Sequence, residues 1–391
     1  MVTEKARWPS FDDEEIAAVA ATLASGKVNY WTGTEGRDFE REFATWTKTR
    51  RAIALANGTL ALDVALKALN IGPGDEVIVT PRTFIASVSC VVNADATPVF
   101  VDVDSDSGNI SAATIAPALT DRTRAIIPVH LAGWPCDMDA IMEIANARGI
   151  KVIEDCAQAH GAAIGGRPVG SIGHVGAWSF CQDKIMSTGG EGGMVTTDDE
   201  ELWSTMWSFK DHGKSWNAVY ERDHPPGFRW VHESFGTNWR MLEMQSVIGR
   251  IQLRRMAGWT ARRTEIAQRF AAVLAEFPNI IRVPLPAAGI THAYYRLYGY
   301  VRPEALPAGW SRDRIVAGMT QAGVGVMHGS CSEVYLEKAF DDTPWRPAQS
   351  LPVARQLGET SLMFLTHPTM SDAEVAAQCD QMRAILRNVV G

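Results

Sequence analysis

Apolar residues in the first two-thirds of the chain form short, nearly continuous runs that alternate with stretches of helical spacing. The runs predict a strand that leads into a turn at residues 52–58 and buried strands at residues 76–80, 97–104, 124–130 and 151–155. Helical spacing predicts helices between them at residues 59–70, 85–96 and 138–149. Strands of this kind separated by helices indicate a mostly parallel sheet covered on both faces. We therefore expect an α/β fold whose ligands bind beyond the carboxyl ends of the strands.

The pattern changes after about residue 240. Residues 240–256 place Met244, Val247, Ile248 and Ile251 on one helical stripe, which predicts a long helix that continues through the following segment. The rest of the chain mixes helical patterns with a strand-like run at residues 294–301. The sequence therefore predicts a large α/β domain over residues 1–250 and a small C-terminal α+β domain over residues 251–391.

Composition narrows the class of protein. The chain has 391 residues, of which 46% are hydrophobic, and a net charge of −8, which argues against a nucleic-acid partner. No apolar run reaches the length of a membrane span, and the first residues are polar and acidic, unlike a signal peptide. The six cysteines lack CxxC or zinc-type spacing, so we expect free thiols and no metal site. These features predict a cytoplasmic protein that does not bind membranes.

Two predicted strands end in segments that could bind a ligand. Asn57, Gly58 and Thr59 open a helix, whose free N–H groups and dipole favour a phosphate, although a plain helix cap has the same pattern. Phe84 follows the strand at residues 76–80, where it is either a platform for a flat ligand or part of the core.

A third strand end carries acidic residues. Asp155 closes an apolar strand, where a buried carboxylate is costly unless it meets a cation or several donors. Together with Glu154, it is well placed at the strand's carboxyl end for a ligand, or it could cap a following helix. Gln158 and His160 follow closely and could support it, although a histidine of this kind is more often structural.

The segment WSFCQDKIMSTGGEGGM, residues 178–194, places Lys184 between a strand-like run and a glycine-rich turn. Lys184 follows Asp155 by 29 residues and Ser179 by five. Loss of solvation among apolar neighbours would lower the pKa of such a lysine and make it a nucleophile for an aldehyde. A solvated surface lysine is the alternative interpretation.

One ligand would use all of these groups together. Pyridoxal phosphate carries an aldehyde, a ring nitrogen and a phosphate, and the protein is expected to supply a lysine and an acidic partner. Lys184 would form the Schiff base, Asp155 would pair with the protonated ring nitrogen and Phe84 would stack on the ring. The phosphate would bind to Gly58, Thr59 and Ser179.

Four segments resemble the DegT/DnrJ/EryC1/StrS family of PLP-dependent sugar aminotransferases, which have the aspartate aminotransferase type I fold. They are NGTLALDVALKALNIGPGDEVIVTPRTF, VHLAGWPCDMDAI, EDCAQAHGAAIGGRPVGSIGHVGAWSFCQDKIMSTGGEGGMV and FGTNWRMLEMQSVIGRIQL. The resemblance covers roughly the whole chain. One departure is Asn57, where many relatives have serine.

The resemblance implies the same roles for Lys184 and Asp155 and adds others. It makes Gln158 a contact near the ring oxygen and Ser179, Gly58 and Thr59 phosphate ligands. It also implies a homodimer with active sites at the interface, in which Asn238 reaches the neighbouring subunit's phosphate. Arg240 is a weaker candidate for a substrate carboxylate, because structural pairing is equally compatible with its position.

The resemblance implies transfer of an amino group, with L-glutamate expected as donor, to a keto-sugar such as a nucleotide-linked 3- or 4-keto-6-deoxyhexose. Related enzymes act on cyclitols or on aminohydroxybenzoate precursors, and no residue here excludes them. Deoxysugar dehydratases of the family typically have histidine at the position of Lys184, which argues against that chemistry. A PLP-binding regulator would leave the full catalytic set unexplained, and an NAD-linked oxidoreductase would need a GxGxxG motif. Residues that could form the sugar pocket, or equally packing or surface, are Tyr30, Trp31, His328, Tyr335 and His367.

Overall fold

The computed structural model describes residues 7–391 as helices and strands that alternate along much of the chain. The helices are α1 (Asp13–Ala24), α2 (Glu35–Thr47), α3 (Gly58–Ala68), α4 (Ala86–Asn93), α5 (Ala112–Ile115), α6 (Met138–Ala147), α7 (Glu200–Phe209), α8 (Trp216–Tyr220), α9 (Glu243–Ala275), α10 (Arg312–Gln321), α11 (Pro352–Thr360) and α12 (Asp372–Val390). The strands are β1 (Arg51–Leu55), β2 (Glu76–Val79), β3 (Thr97–Phe100), β4 (Thr123–Ile127), β5 (Lys151–Asp155), β6 (Ala163–Ile164), β7 (Arg167–Pro168), β8 (Val175–Ser179), β9 (Gly193–Thr197), β10 (Ile281–Arg282), β11 (Ile290–Thr291), β12 (Arg296–Val301), β13 (Val326–Met327) and β14 (Ser361–Leu365).

A seven-stranded sheet in the order β1-β9-β8-β5-β4-β2-β3 forms the centre of the molecule. The pairs from β8 to β3 are all parallel, and β9 alone runs antiparallel to both of its neighbours. The mostly parallel α/β sheet predicted from the sequence is therefore confirmed. Its parallel strands β5 and β8 are adjacent, so Asp155 and Ser179 end their strands at the same edge.

Two predicted strands are too long, since the strand expected over residues 124–130 ends at Ile127 and the one over residues 97–104 is shorter still. The expected strand over residues 97–104 ends at Phe100, because β3 lies at the edge of the sheet and pairs only with β2. The last pair in that register joins Val79 to Phe100, so the chain beyond it has no partner strand. Val101 and Val103 are nevertheless buried, which explains the apolar pattern of the whole segment.

Side chains alternate between two cores on the faces of the sheet, as the pleat of a strand requires. Val77 and Val79 of β2 belong to the core that contains the apolar face of α3. Ile78 points to the opposite side, into the core that contains Ile141 of α6. The near-continuous apolar strands thus result from burial on both faces.

A second, smaller sheet lies toward the C-terminus. Its four strands are antiparallel in the order β10-β12-β14-β13. It shares a core with α10, α12 and the end of α9, including Phe270, Phe364 and Leu386. The single helix α9 spans 33 residues from the large sheet's side of the molecule into this core. The predicted domain boundary at residue 250 falls inside α9 and stays a prediction.

Glu154, next to Asp155, has a structural role that the sequence did not reveal. Its buried carboxylate accepts hydrogen bonds from the N–H groups of Gly170, Ile172 and Gly173 and contacts His130 Nε2 at 3.0 Å. Burial alone would raise the pKa of Glu154, but the hydrogen bond and charge of His130 and the backbone donors together lower it. Glu154 thereby fixes the loop before β8.

The remaining expectations on chain chemistry concern thiols and membranes. All six cysteines are free thiols in this structure, as predicted. Among the helices of residues 7–391, none combines the length and the apolar character that a bilayer crossing requires.

Candidate active site

A cavity of about 530 Å³ opens at the carboxyl ends of β5 and β8. Seven of the eight predicted site residues line it, namely Gly58, Thr59, Phe84, Asp155, Gln158, Ser179 and Lys184. The parallel sheet explains this convergence, because the ends of neighbouring parallel strands meet at one edge. Residues that are distant in sequence are thereby brought to a single site.

Asp155 lies at the bottom of the cavity and is only 4% exposed. Ser87 Oγ donates to its Oδ2 at 2.7 Å, and the Ala157 N–H donates to its Oδ1 at 3.1 Å. Burial raises the pKa of Asp155, while these hydrogen bonds and the charge of Lys184 oppose the rise. Residues 156–162 form turns, so the alternative role of Asp155 as a helix cap is excluded. A buried carboxylate in this setting is suited to a cationic ligand group.

Lys184 follows β8 in a short turn that other parts of the chain hold in place. Its N–H donates to the carbonyl of Cys181 at 3.0 Å, and its own carbonyl accepts a 2.7 Å hydrogen bond from Trp8 Nε1. The side chain is 16% exposed, with Nζ 3.8 Å from Asp183 Oδ1 and 5.4 Å from the ring centre of Tyr295. Lys184 is therefore not a solvated surface lysine.

The N-terminus of α3 forms a cradle on one side of the cavity. The Asn57 side chain caps the helix by accepting from the Leu60 N–H at 3.0 Å. A Cβ at Gly58 would lie 2.5 Å from Ser179 Cβ, so the two segments approach as closely as they do because residue 58 is glycine. The first N–H groups of a helix have no intrahelical acceptor and attract anions. This cradle has the chemistry of a phosphate site.

Phe84 and Gln158 occupy the walls of the cavity. Phe84 is 67% exposed, which excludes the alternative that it belongs to the core and leaves a ring face available to a flat ligand. Gln158 is buried, and its Oε1 accepts a 2.8 Å hydrogen bond from the Ala132 N–H. That bond orients the amide so that its nitrogen remains available as a donor.

Asn238 is the one predicted site residue that does not line the cavity. It is exposed, and its backbone pairs with that of Asp211. Arg240 Nη1 donates to Asp211 Oδ1 at 2.7 Å, which is the structural pairing weighed against a substrate role.

The five residues considered for the sugar pocket also lie outside the cavity lining. Tyr30 and Tyr335 are buried in the large core region, where they contact Trp207 and Phe100. The other three are Trp31, partly buried, His328, exposed beside Asp313, and His367, buried near Arg263.

His160 is fully buried between Trp178 and Phe180, with ring centres 5.2 and 5.6 Å away. Neither ring nitrogen makes a hydrogen bond of normal geometry to residues 7–391, so His160 is not the satisfied structural histidine that its pattern favoured. Burial lowers its pKa to about 3, and the charges of Lys184 and Arg263 add to this effect. The imidazole is therefore neutral in the folded protein.

His160→Phe is expected to flatten the dependence of stability on pH. The histidine has a pKa near 6.5 in the unfolded chain, so between pH 6.5 and pH 3 the unfolded chain binds a proton that the folded protein does not. The contribution of neutral His160 to the free energy of unfolding is therefore complete above pH 6.5 and is lost as the pH falls toward 3. At pH 5 the free energy of unfolding is lower by about 2 kcal/mol for this reason. Urea unfolding at pH 7.5 and pH 5 measures the loss. The exposed His232→Phe is the control, and equal losses in both variants would contradict the interpretation.

Comparison with known proteins identifies the site's family. Residues 9–383 match the DegT/DnrJ/EryC1/StrS aminotransferase family. The chain is 35% identical to the spore coat polysaccharide biosynthesis protein SpsC of Bacillus subtilis, over 97% of this chain and 96% of that one. It is also 35% identical to the UDP-N-acetyl-3-dehydro-alpha-D-glucosamine 3-aminotransferase of Acidithiobacillus ferrooxidans, over 99% and 97%. The X-ray structure of the aminotransferase from Psychrobacter cryohalolentis shares 60% identity, with a TM-score of 0.98 over 99% of this chain and 100% of that chain.

The residues in the cavity fit pyridoxal phosphate, the cofactor of this family. The glycine cradle at α3 suits a phosphate, and the buried carboxylate of Asp155 suits a protonated ring nitrogen. Lys184 supplies an amine at the edge of the same cavity. The chain therefore belongs to the DegT/DnrJ/EryC1/StrS aminotransferase family and is a pyridoxal-phosphate-dependent aminotransferase.

Proposed function

We propose that this enzyme transfers the amino group of L-glutamate to the keto carbon of a nucleotide-linked sugar. The observation that carries the proposal is the presence of Lys184 and Asp155 in one cavity with a phosphate cradle. The name of the Acidithiobacillus ferrooxidans relative, a UDP-linked keto-sugar aminotransferase, supports an acceptor of this class.

Each residue of the site has a defined task in this reaction. Pyridoxal phosphate, when bound, supplies the aldehyde that carries the amino group and a ring that withdraws electrons from the donor's Cα. Lys184 would hold the cofactor through Nζ and, once displaced by the donor's amine, would move the proton from the donor's Cα. Asp155 would keep the ring nitrogen protonated, and Ser87 and the Ala157 N–H hold its carboxylate in position. Gly58, Thr59 and Ser179 would bind the phosphate.

The enzyme is further proposed to act as a homodimer in which Asn238 completes the neighbour's phosphate site. Asn238 is exposed and does not line its own cavity, which is compatible with a contact to a second copy. The segment just before it presents large apolar side chains to solvent, with Phe228 74%, Trp230 80% and Phe235 100% exposed. Exposed aromatic groups of this kind are typical of protein interfaces.

The visible spectrum of the purified holoenzyme tests the donor half of the reaction. Addition of L-glutamate without any acceptor is expected to bleach the yellow band of the lysine-bound cofactor and to release an equal amount of 2-oxoglutarate. Subsequent addition of a nucleotide-linked keto-sugar should restore the band. A yellow band that glutamate does not change would contradict glutamate as the donor. Protein that binds no pyridoxal phosphate at all would contradict the role of the cavity.

A further inference from the structure

Two arginines near Lys184, Arg263 and Arg296, form no ion pair within residues 7–391, although the charge of Arg296 acts on Asp183. Arg263 of α9 is fully buried, and its Nε and Nη2 have no hydrogen-bond partner within residues 7–391. Its one bond is weak, from Nη1 to the carbonyl of Thr366 at 3.4 Å. Burial, followed by the charge of Arg296, lowers the pKa of Arg263 to about 9. A buried guanidinium without a counter-charge is costly, so its retention needs a reason.

Arg296, the first residue of β12, is partly exposed and is not itself part of the cavity lining. Its Cζ is 3.9 Å from the ring centre of Tyr295, and its Nη1 donates to the carbonyl of the same tyrosine at 2.8 Å. In the part of the chain that the structure describes, no carboxylate oxygen lies within 4 Å of it. The remaining N–H groups of this guanidinium are therefore available to a ligand.

The ring of Tyr295 connects Arg296 to Lys184. Lys184 Nζ lies 5.4 Å from the ring centre that Arg296 Cζ approaches to 3.9 Å. The two cationic groups are therefore at most about 9 Å apart, the sum of those distances. A carboxylate two to four bonds from an amine at Lys184 can span that distance and accept a bidentate hydrogen bond from an arginine.

The charges around this space favour an anion. Asp183 is the acid that faces it, held by the hydroxyl of Tyr295 and by Lys184. Burial would raise the pKa of Asp183, but Lys184, Tyr295 and Arg296 together lower it, so the group is ionised. Burial lowers the pKa of the nearby His367 to about 4, with Arg263 and Arg296 contributing, so this histidine is neutral. One carboxylate therefore faces three cationic side chains.

We propose that Arg296 binds a carboxylate of the substrate beside Lys184, and that Arg263 behind it strengthens the positive potential of this subsite. The inference rests on the proposed function for the identity of the amine at Lys184. Every amino-acid donor brings a carboxylate to this place, and an acidic sugar would present the same chemistry. Arg296 is the contact residue and Arg263 a positioning residue.

The test compares Arg296→Gln and Arg296→Lys with the wild-type holoenzyme. Arg296→Gln is expected to raise the L-glutamate concentration for half-maximal bleaching of the cofactor band at least about ten-fold, a loss typical of one charged hydrogen-bonded contact. The half-saturating L-glutamate concentration of Arg296→Lys should lie between those of the wild type and Arg296→Gln, because lysine keeps the charge but loses the bidentate geometry. The limiting rate should change less than the half-saturating concentration.

The matched control is Arg314→Gln. Arg314 also stacks on an aromatic ring, that of Trp310 at 4.4 Å, and also donates to a backbone carbonyl, but among the described residues Lys184 lies near the ring of Tyr295 and not near that of Trp310. Arg314→Gln is expected to leave the half-saturating L-glutamate concentration unchanged. Thermal unfolding of each variant checks that the fold is retained.

Calorimetry keeps the inference separate from the proposed donor. Succinate, which cannot react, is expected to bind wild-type holoenzyme at least about ten-fold more tightly than Arg296→Gln. This result would support the subsite even if glutamate failed to bleach the wild-type band. Weaker binding of UDP-glucuronate but not UDP-glucose by Arg296→Gln would assign the carboxylate to the acceptor sugar. If Arg296→Gln changes neither glutamate saturation nor the binding of either acid, the inference is overturned.

Discussion

Lys184→Ala is expected to lower the turnover of amino transfer by about 10³-fold or more and to remove the yellow band of the lysine-bound cofactor. The loss combines two functions of one amine, because Nζ both binds the cofactor and moves the proton at the donor's Cα. Proton transfer by a positioned group is by itself worth about 10²- to 10⁴-fold. Single-turnover kinetics with L-glutamate measure the loss. Added methylamine should restore part of the rate by replacing the missing proton carrier.

The exposed Lys338→Ala is the control for this change, since it removes a lysine far from the cavity lining. Full activity of Lys184→Ala would refute the assignment of the active site.

The Lys184→Ala variant also tests the proposed dimer. Mixed with an inactive Asn238→Ala protein and allowed to exchange subunits, it should regain activity, because a hybrid dimer contains one intact site. No recovery after proven exchange would contradict a site shared between subunits.

Asp155→Asn is expected to slow the donor half-reaction by about 10²-fold or more while leaving the fold intact. The amide is close in shape to the carboxylate, but it carries no charge to keep the ring nitrogen of the cofactor protonated. Removal of one preorganised electrostatic group from an active site costs about 10²- to 10³-fold in rate. The rate of cofactor bleaching by saturating L-glutamate measures the effect.

Glu191→Gln provides the comparison for Asp155→Asn. Glu191 also lines the cavity, but it is exposed, so its charge is screened by water. Its replacement should change the rate by less than about three-fold, within the range of a surface substitution. A similar loss in both variants would show that the cavity needs negative charge in general rather than a carboxylate at residue 155.

The sequence predicted the part of the site that lies at strand ends. Asp155 and Ser179 close apolar runs, and Gly58 opens a helix, so local pattern alone places them at one edge of a parallel sheet. Lys184 was predictable because its spacing from Asp155 fits a recognised family. The exposed face of Phe84 and the cradle between Gly58 and Ser179 then follow from the fold.

The remaining features depend on contacts between distant segments, which no local pattern encodes. Ser87 reaches Asp155 across 68 residues, and Arg296 comes within about 9 Å of Lys184 because the segment before β12 brings the ring of Tyr295 to that lysine. The early end of β3 likewise depends on the length of its single partner strand. Within residues 7–391, the two buried nitrogens of His160 lack partners for the same non-local reason, since the surrounding rings come from residues 178 and 180.

The hydrogen bond from Trp8 to the carbonyl of Lys184 bears on how this protein should be engineered. The indole also packs edge-on against Trp259, with ring centres 5.1 Å apart, so Trp8 links the backbone at Lys184 to α9. Removal of the first ten residues to aid crystallisation would remove both contacts of Trp8. Kinetics of the shortened protein would then describe a Lys184 whose backbone is held less firmly.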